Sequence, residues 1–292
     1  MQRSLQLMTK KQKKKLTKRA IVISTILVIL SVFASVIYVY GIDYYRRYYS
    51  FPTLAIDANK YPVYGIDISS HQGKIDWQVV YDSKVSFAFL KATEGEDFVD
   101  KKFANNWKNA KEKNIIVGAY LFFRFNKDGK LQAKNFINNV SLTDNDLPPV
   151  VDFEISYGNR VFKYSKKQVQ KELLKCLREL EKHYNVKPII YTNVDAYTKY
   201  IKNDFDEYSL WICKLSSEPT ASTKWQFWQY THKGAVPGIK GNVDMNIFNG
   251  SYTDFVNYIY SIHGNKIEKD AKRQNRPVNR RHPQSTKTAV RS

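Results

Sequence analysis

Residues 147–154 read "LPPVVDFE", an apolar run that ends in two acids two places apart, Asp152 and Glu154. In a strand, side chains at i and i+2 leave on one face, so both carboxyls would point into the same space. The valines before them give no polar face, which marks a strand covered on both sides, as in a parallel sheet. A buried charge costs several kcal/mol unless compensated. Two of them at the end of such a strand are expected to line a site.

The same pattern repeats outward in both directions. "VYGIDIS" (63–69), "FAFLKAT" (87–93), "IIVGAYLFF" (115–123) and "KPIIYTN" (187–193) are short apolar runs. Amphipathic stretches lie between them: Trp77 to Tyr81; Phe103, Trp107 and Ala110 at helical spacing; 130–139; and Val169, Leu173, Leu177, Leu180 and Tyr184 on one helical face. After Asn193 the helices stop, and "SLWICKL" (209–215), "WQFWQYT" (225–231) and "VDMNIF" (243–248) follow as strands. Alternating strands and helices predict an α/β sheet or barrel. About eight strands in roughly 200 residues would make a short, irregular barrel beside the usual ~250.

Asp67, Glu94, Asp152, Glu154, Asn193, Gln229 and Asp244 fall at or just beyond the ends of these strands. In barrels the C-terminal ends of the strands carry the chemistry. Tyr120, Phe122, Tyr191, Trp211, Trp225 and Trp228 lie nearby and would supply flat apolar faces, or simply core. Acids and amides beside aromatic platforms suit a carbohydrate, which has apolar C–H faces and a rim of hydroxyls. Lys91 and Glu94 read either as part of that site or as an internal ion pair.

The net charge of +20 suggests a polyanion partner until it is located. Residues 1–19 hold +8 and residues 265–292 hold +7, which leaves +5 for the whole of the middle. The charge belongs to the ends and not to a groove, so nucleic acid is not the expected partner. Residues 20–40, "AIVISTILVILSVFASVIYVY", contain no charge and match the ~20 residues needed to cross a bilayer. With the basic flank in front, the positive-inside rule predicts a cytoplasmic N-terminus and everything after Tyr40 outside. A cleaved signal peptide has the same layout but usually a shorter apolar core of ~7–15 residues; a buried core helix is the third reading. The expected organisation is a basic cytoplasmic tail at 1–19, a membrane helix at 20–40 contacting lipid, a linker at 41–62, a catalytic domain at 63–262 and a polar basic tail at 263–292. That last tail has no apolar face and reads as disordered, either solvated or held to anionic envelope polymers by charge. Cys176 and Cys213 read as two buried thiols or one bridge. The five histidines show no metal-ligand spacing, so neither a metal nor a cofactor is expected.

The ordered set "YGIDISSHQGKIDW", "FLKATEG", "VGAYLFFR", "LPPVVDFE", "KPIIYTN", "LWIC" and "WQFWQYTHKGAVPGIKGNVDMNIFNG" resembles glycoside hydrolase family 25, the Chalaropsis-type lysozymes, across about residues 63–250. The resemblance implies an irregular TIM-like (β/α)5(β)3 barrel. It also implies an N-acetylmuramidase that cuts the β-1,4 bond between N-acetylmuramic acid and N-acetylglucosamine in peptidoglycan glycan strands. By the same resemblance Glu154 matches the general acid, Asp152 its partner carboxylate, Asp67 the acid of the first strand and Asp244 the acid of "VDMN". Substrate contacts are expected from Tyr120, Phe122, Tyr191, Trp211, Gln229 and Glu94. A like charge on Asp152 would hold the proton on Glu154. The chain departs from the family pattern at Leu121, where a His is common, and at Lys214 and Leu215. A silent wall-binding module is the alternative reading; it would keep the aromatics and lose the acids, all four of which are present.

Overall fold

The structure is a computed structural model that describes residues 10–49, 54–156, 159 and 164–262. Residues 1–9 and the C-terminal tail expected at 263–292 lie outside the described residues. The chain divides into two units at Pro52/Thr53.

The first unit is one helix, Lys10–Tyr49. Within it Thr17–Gly41 carries an apolar window with a mean hydropathy of 2.8. Among the described residues it is the one helix long and apolar enough to span a bilayer. Three of its hydroxyls are satisfied locally: Thr25, Ser31 and Ser35 donate back to the carbonyls of Ile21, Val28 and Ser31. The helix extends through 41–49, which the sequence had suggested was linker.

The second unit is built on nine strands: β1 Tyr64–Ile68, β2 Phe87–Glu94, β3 Phe98–Val99, β4 Ile116–Phe122, β5 Val150–Asp152, β6 Ile189–Asn193, β7 Ser209–Cys213, β8 Phe227–Gly234 and β9 Val243–Phe248. Eight form a ring in the order β1, β9, β8, β7, β6, β5, β4, β2, closed by pairing of β1 with β2; β3 hangs on β2 as a hairpin arm. All neighbouring pairs in the ring are parallel except the two made by β9. A helix follows β1, β2, β4, β5 and β6, and none of comparable length follows β7 or β8. This is the (β/α)5(β)3 barrel expected.

Packing explains why these residues close into a ring. Phe87, Phe89, Trp211, Phe227 and Phe248 fill the interior, with Phe89 stacked on Trp211 at 4.2 Å between ring centres. Rings this large need space opposite. A β-carbon on Gly65 would lie 2.5 Å from the Phe87 ring, and one on Gly118 would lie 2.7 Å from the Phe89 ring. The two glycines are therefore sockets for the floor of the barrel. Outside, the helix Lys166–Tyr184 turns Val169, Leu173, Leu177 and Leu180 onto the sheet, and a Ser165–Gln168 capping box satisfies its first amides. Where no helix covers the sheet, Leu54, Ile56 and Tyr61 lie over Leu210, Ile212, Trp225, Trp228 and Ile247. Residues 54–61, read from sequence as linker, thus take part in the folded unit. Trp225 and Trp228 belong to this outer layer rather than to any sugar platform.

Candidate active site

The inward positions near the C-terminal ends of the strands bring the predicted polar residues together. Asp67 on β1 pairs in register with Asp244 on β9. Its Oδ2 accepts from Gln229 Nε2 and Asn246 Nδ2, each at 2.8 Å. Gln229 is itself fixed, because its Oε1 accepts from the Tyr191 hydroxyl at 2.8 Å, and Asn246 accepts from Trp211 Nε1 at 2.8 Å. Trp211, 2% exposed, and Tyr191, 6% exposed, therefore act here as floor and brace. Sequence reasoning had cast both as sugar platforms, but their faces are spent on the barrel interior. Burial, and then the neighbouring Asp244, push Asp67 up to about 8, so it holds a proton at neutral pH.

Asp152 closes β5, and Glu154 follows two residues later on the extended chain, with Phe153 between them turned into the helix layer. The Phe153 amide donates to the Tyr191 carbonyl at 2.8 Å, which carries the strand pairing past the end of β5. Asn193 Nδ2 donates to the Ile155 carbonyl at 2.9 Å, and Asn159 donates to the carbonyls of Phe123 and Glu154, so the segment after the acids is tied on both sides. Burial pushes Glu154 up to about 7, with Asp244 adding in the same direction and His232 and Lys91 opposing. Burial and the neighbouring Glu154 push Asp152 well above the ordinary carboxylate range. Desolvation, rather than the like charge of Asp152 that the sequence suggests, is the main cause of the raised Glu154. Asp152 Oδ1 is buried and has no hydrogen-bond partner among the described residues.

On the neighbouring wall, Glu94 is held by Lys91 Nζ at 2.6 Å and by the Arg124 guanidinium. Burial opposes its charge, yet these two cations hold its carboxyl below the ordinary value. Glu94 is thus committed to an ion pair, the second of the two readings its sequence allowed. A register shift between Lys91 and Thr93 makes the pair possible. Strict alternation would send residues 91 and 94 to opposite faces; a bulge turns both toward the mouth. Lys91 also lies over the Phe122 ring at 5.0 Å. Tyr120, beside Lys91 in register, is pushed far up by burial and by the charges of Asp67, Asp152 and Asp244, so it stays a neutral hydroxyl among acids.

Sequence reasoning missed His232. A second register shift, between Gln229 and Thr231, sets Thr231 opposite Met245 and turns His232 toward Asp244. His232 Nδ1 is 3.1 Å from Asp244 Oδ1, and Nε2 is 3.9 Å from Cys213 Sγ. No period in the sequence reports a bulge, and the aromatic run before it hid the change of face. Cys176 and Cys213 are both buried and free, as the first of their two readings had it. Leu121, where the family pattern often has His, is fully buried in the helix layer and turned away from the acids. Lys214 donates to the Glu218 carbonyl at 3.0 Å, outside the acid cluster. Among the described residues no group of His, Cys, Asp and Glu is arranged to hold a metal ion.

The arrangement is a ring of carboxyls, several protonated at neutral pH by desolvation, above a packed aromatic floor. It can donate a proton to a buried ether or acetal oxygen and stabilise positive charge beside it. The description Glycosyl hydrolases family 25 matches residues 66–239. The chain is 35% identical over 233 residues to the uncharacterized Escherichia coli protein YegX, covering 77% of this chain and 82% of that one. It is 34% identical over 206 residues to lysozyme M1 of Streptomyces globisporus, covering 65% of this chain and 68% of that one. A solved family 25 glycosyl hydrolase from Bacillus anthracis superposes with a TM-score of 0.66 at 39% identity, over 70% of this chain and 96% of that one. With the barrel, the acids and the match in agreement, the chain belongs to family 25 of the glycosyl hydrolases.

Proposed function

We propose that the protein is a peptidoglycan muramidase that uses Glu154 as its general acid and Asp152 to drive a substrate-assisted step. It is a lysozyme-type hydrolase of the bond between N-acetylmuramic acid and N-acetylglucosamine. The observation that carries the residue assignment is the orphaned Asp152 Oδ1 next to a Glu154 with a raised proton affinity. A buried carboxylate oxygen without a donor is costly in the free enzyme. The N-acetyl amide of a muramic acid residue carries the missing N–H. Donation of that N–H favours the anionic form of Asp152, whose charge in turn favours the protonated form of Glu154.

Glu154 then protonates the glycosidic oxygen as the bond to the anomeric carbon breaks. The amide oxygen, made more nucleophilic by Asp152, closes on that carbon to give a cyclic oxazoline intermediate. Water opens this ring with the Glu154 carboxylate taking its proton, which restores both acids. Substrate-assisted hydrolases of this kind are known exceptions to the scheme of two opposed carboxylates. Asp67, protonated and braced by Gln229 and Asn246, and Asp244 position the sugar hydroxyls or the water. Two displacements at one carbon give net retention. Proton NMR of the product anomer immediately after cleavage tests this route: a first-formed β anomer supports it, and an α anomer refutes it.

The helix Thr17–Gly41, free of charge over residues 20–40, supports a single-pass membrane anchor with the catalytic unit outside the cytoplasm. The basic tail at 265–292 supports electrostatic contact with anionic envelope polymers.

A further inference from the structure

We propose that His232 is a positioning residue of this site, an imidazolium that grips Asp244 and presents positive charge to Glu154. The inference rests on the assignment of Glu154 as the acid. Three observations lead to it. The first of two register shifts in β8, between Gln229 and Thr231, spends one residue of strand pairing to bring His232 inward, so the side chain is placed and does not merely occupy a surface position. Its Nδ1 meets Asp244 Oδ1 at 3.1 Å, whereas among the described residues the other oxygen of Asp244 has a 3.3 Å bond from Gln229 alone. A half-buried carboxylate with so few donors, in a mouth that also holds Asp67, Asp152 and Glu154, needs a countercharge.

The groups facing His232 come from several elements: Cys213 from β7, Asp244 from β9, and Glu154 beyond the end of β5, with Asp67 of β1 in reach across Gln229. Glu154 is faced by His232, Asp244, Asp152 and Lys91. Burial lowers the proton affinity of His232, but Asp244 and Cys213 outweigh it and hold the imidazolium up to about 11. A general acid raised by burial is also a reluctant donor. The positive charge of His232 lowers its proton affinity and so eases transfer to the glycosidic oxygen. Neutralising that charge should leave Glu154 protonated to higher pH.

The test compares kcat/KM between pH 4 and 9 for the full-length protein, H232Q and H232K, on a muramic-acid-containing oligosaccharide. The expected result is an alkaline limb moved to higher pH in H232Q and restored toward the wild-type position in H232K, which returns the cation. A limb unmoved in H232Q, or moved equally in both variants, overturns the proposal. A loss of thermal stability with no change in the profile overturns it too, because that would be a structural role alone. Nitrogen-15 NMR of the wild-type imidazole gives a reading that needs no variant: both ring nitrogens protonated at pH 7 support the ion pair, and a neutral ring accepting the Cys213 thiol proton overturns it. E154Q separates the two levels of inference. If E154Q keeps full activity, the acid assignment has failed; if E154Q is inactive and the H232Q limb does not move, the His232 proposal alone has failed.

Discussion

Replacing Glu154 by Gln should make the protein more stable at pH 8 while removing its activity. Folded, the Glu154 carboxyl titrates at about 7, against 4.5 for the same group in water. Below about pH 4.5 it is protonated in both folded and unfolded chains, and its contribution to stability is fully present. As pH rises toward 7 the unfolded chain releases the proton and the folded one does not, so stability is lost across that window. Above 7 the loss is complete and constant. A gap of about 2.5 pH units at 1.36 kcal/mol each makes the cost about 3 kcal/mol. Gln has nearly the shape of the protonated acid and carries no charge, so E154Q escapes this cost. Relief of the like charge on Asp152 acts in the same direction. For a folded unit of this size each kcal/mol moves Tm by about 2–4 °C, which predicts a gain of roughly 6–12 °C at pH 8 and little change at pH 4. Melting followed by circular dichroism at the two pH values, on wild type and E154Q, measures it. Equal melting temperatures at pH 8, or an equal gain at both pH values, would refute the claim that burial raises this acid.

Other consequences follow from the same geometry. The alkaline limb of the wild-type kcat/KM profile should lie near pH 7, with activity falling about tenfold per unit above it because the acid must be protonated; a limb near pH 4.5 would contradict the raised Glu154. Asp152→Asn should lower kcat by roughly 10²–10³ with a smaller change in KM, since it removes charge needed mainly in the transition state; steady-state kinetics on the same oligosaccharide decides. Gly118→Val should destabilise the folded unit by about 1–3 kcal/mol or more, because the new side chain overlaps the Phe89 ring; urea unfolding of the full chain measures it. The full-length protein should sediment with membranes after a high-salt or alkaline wash, while a variant with Arg placed at Leu27 and Leu30 should be released more readily.

The barrel was largely legible because its strands are apolar on both faces and its helices keep their period. Asp67, Asp152, Gln229 and Asp244 could be placed by counting in twos from strand ends, and the structure brings them to one mouth. Counting in twos failed at the register shifts in β2 and β8, which decide the neighbours of Glu94 and His232. A bulge is a matter of pairing between strands and leaves no mark in the spacing of one of them. The aromatics were misjudged for a different reason. Trp and Tyr carry one polar atom on a large apolar body, so the same residue serves as a sugar platform or as a brace inside the barrel. Trp211 and Tyr191 spend their polar atoms on Asn246 and Gln229, and only the fold shows that. Residues 54–61 read as linker because three helix-free strands do not announce from sequence that their outer face needs a cover.

The most direct measurement digests purified peptidoglycan with the full-length protein beside E154Q and identifies the released fragments by mass spectrometry after borohydride reduction. The account predicts fragments with reduced muramic acid at the new end from wild type and none from E154Q. Reduced glucosamine ends, or equal release by both proteins, would contradict it.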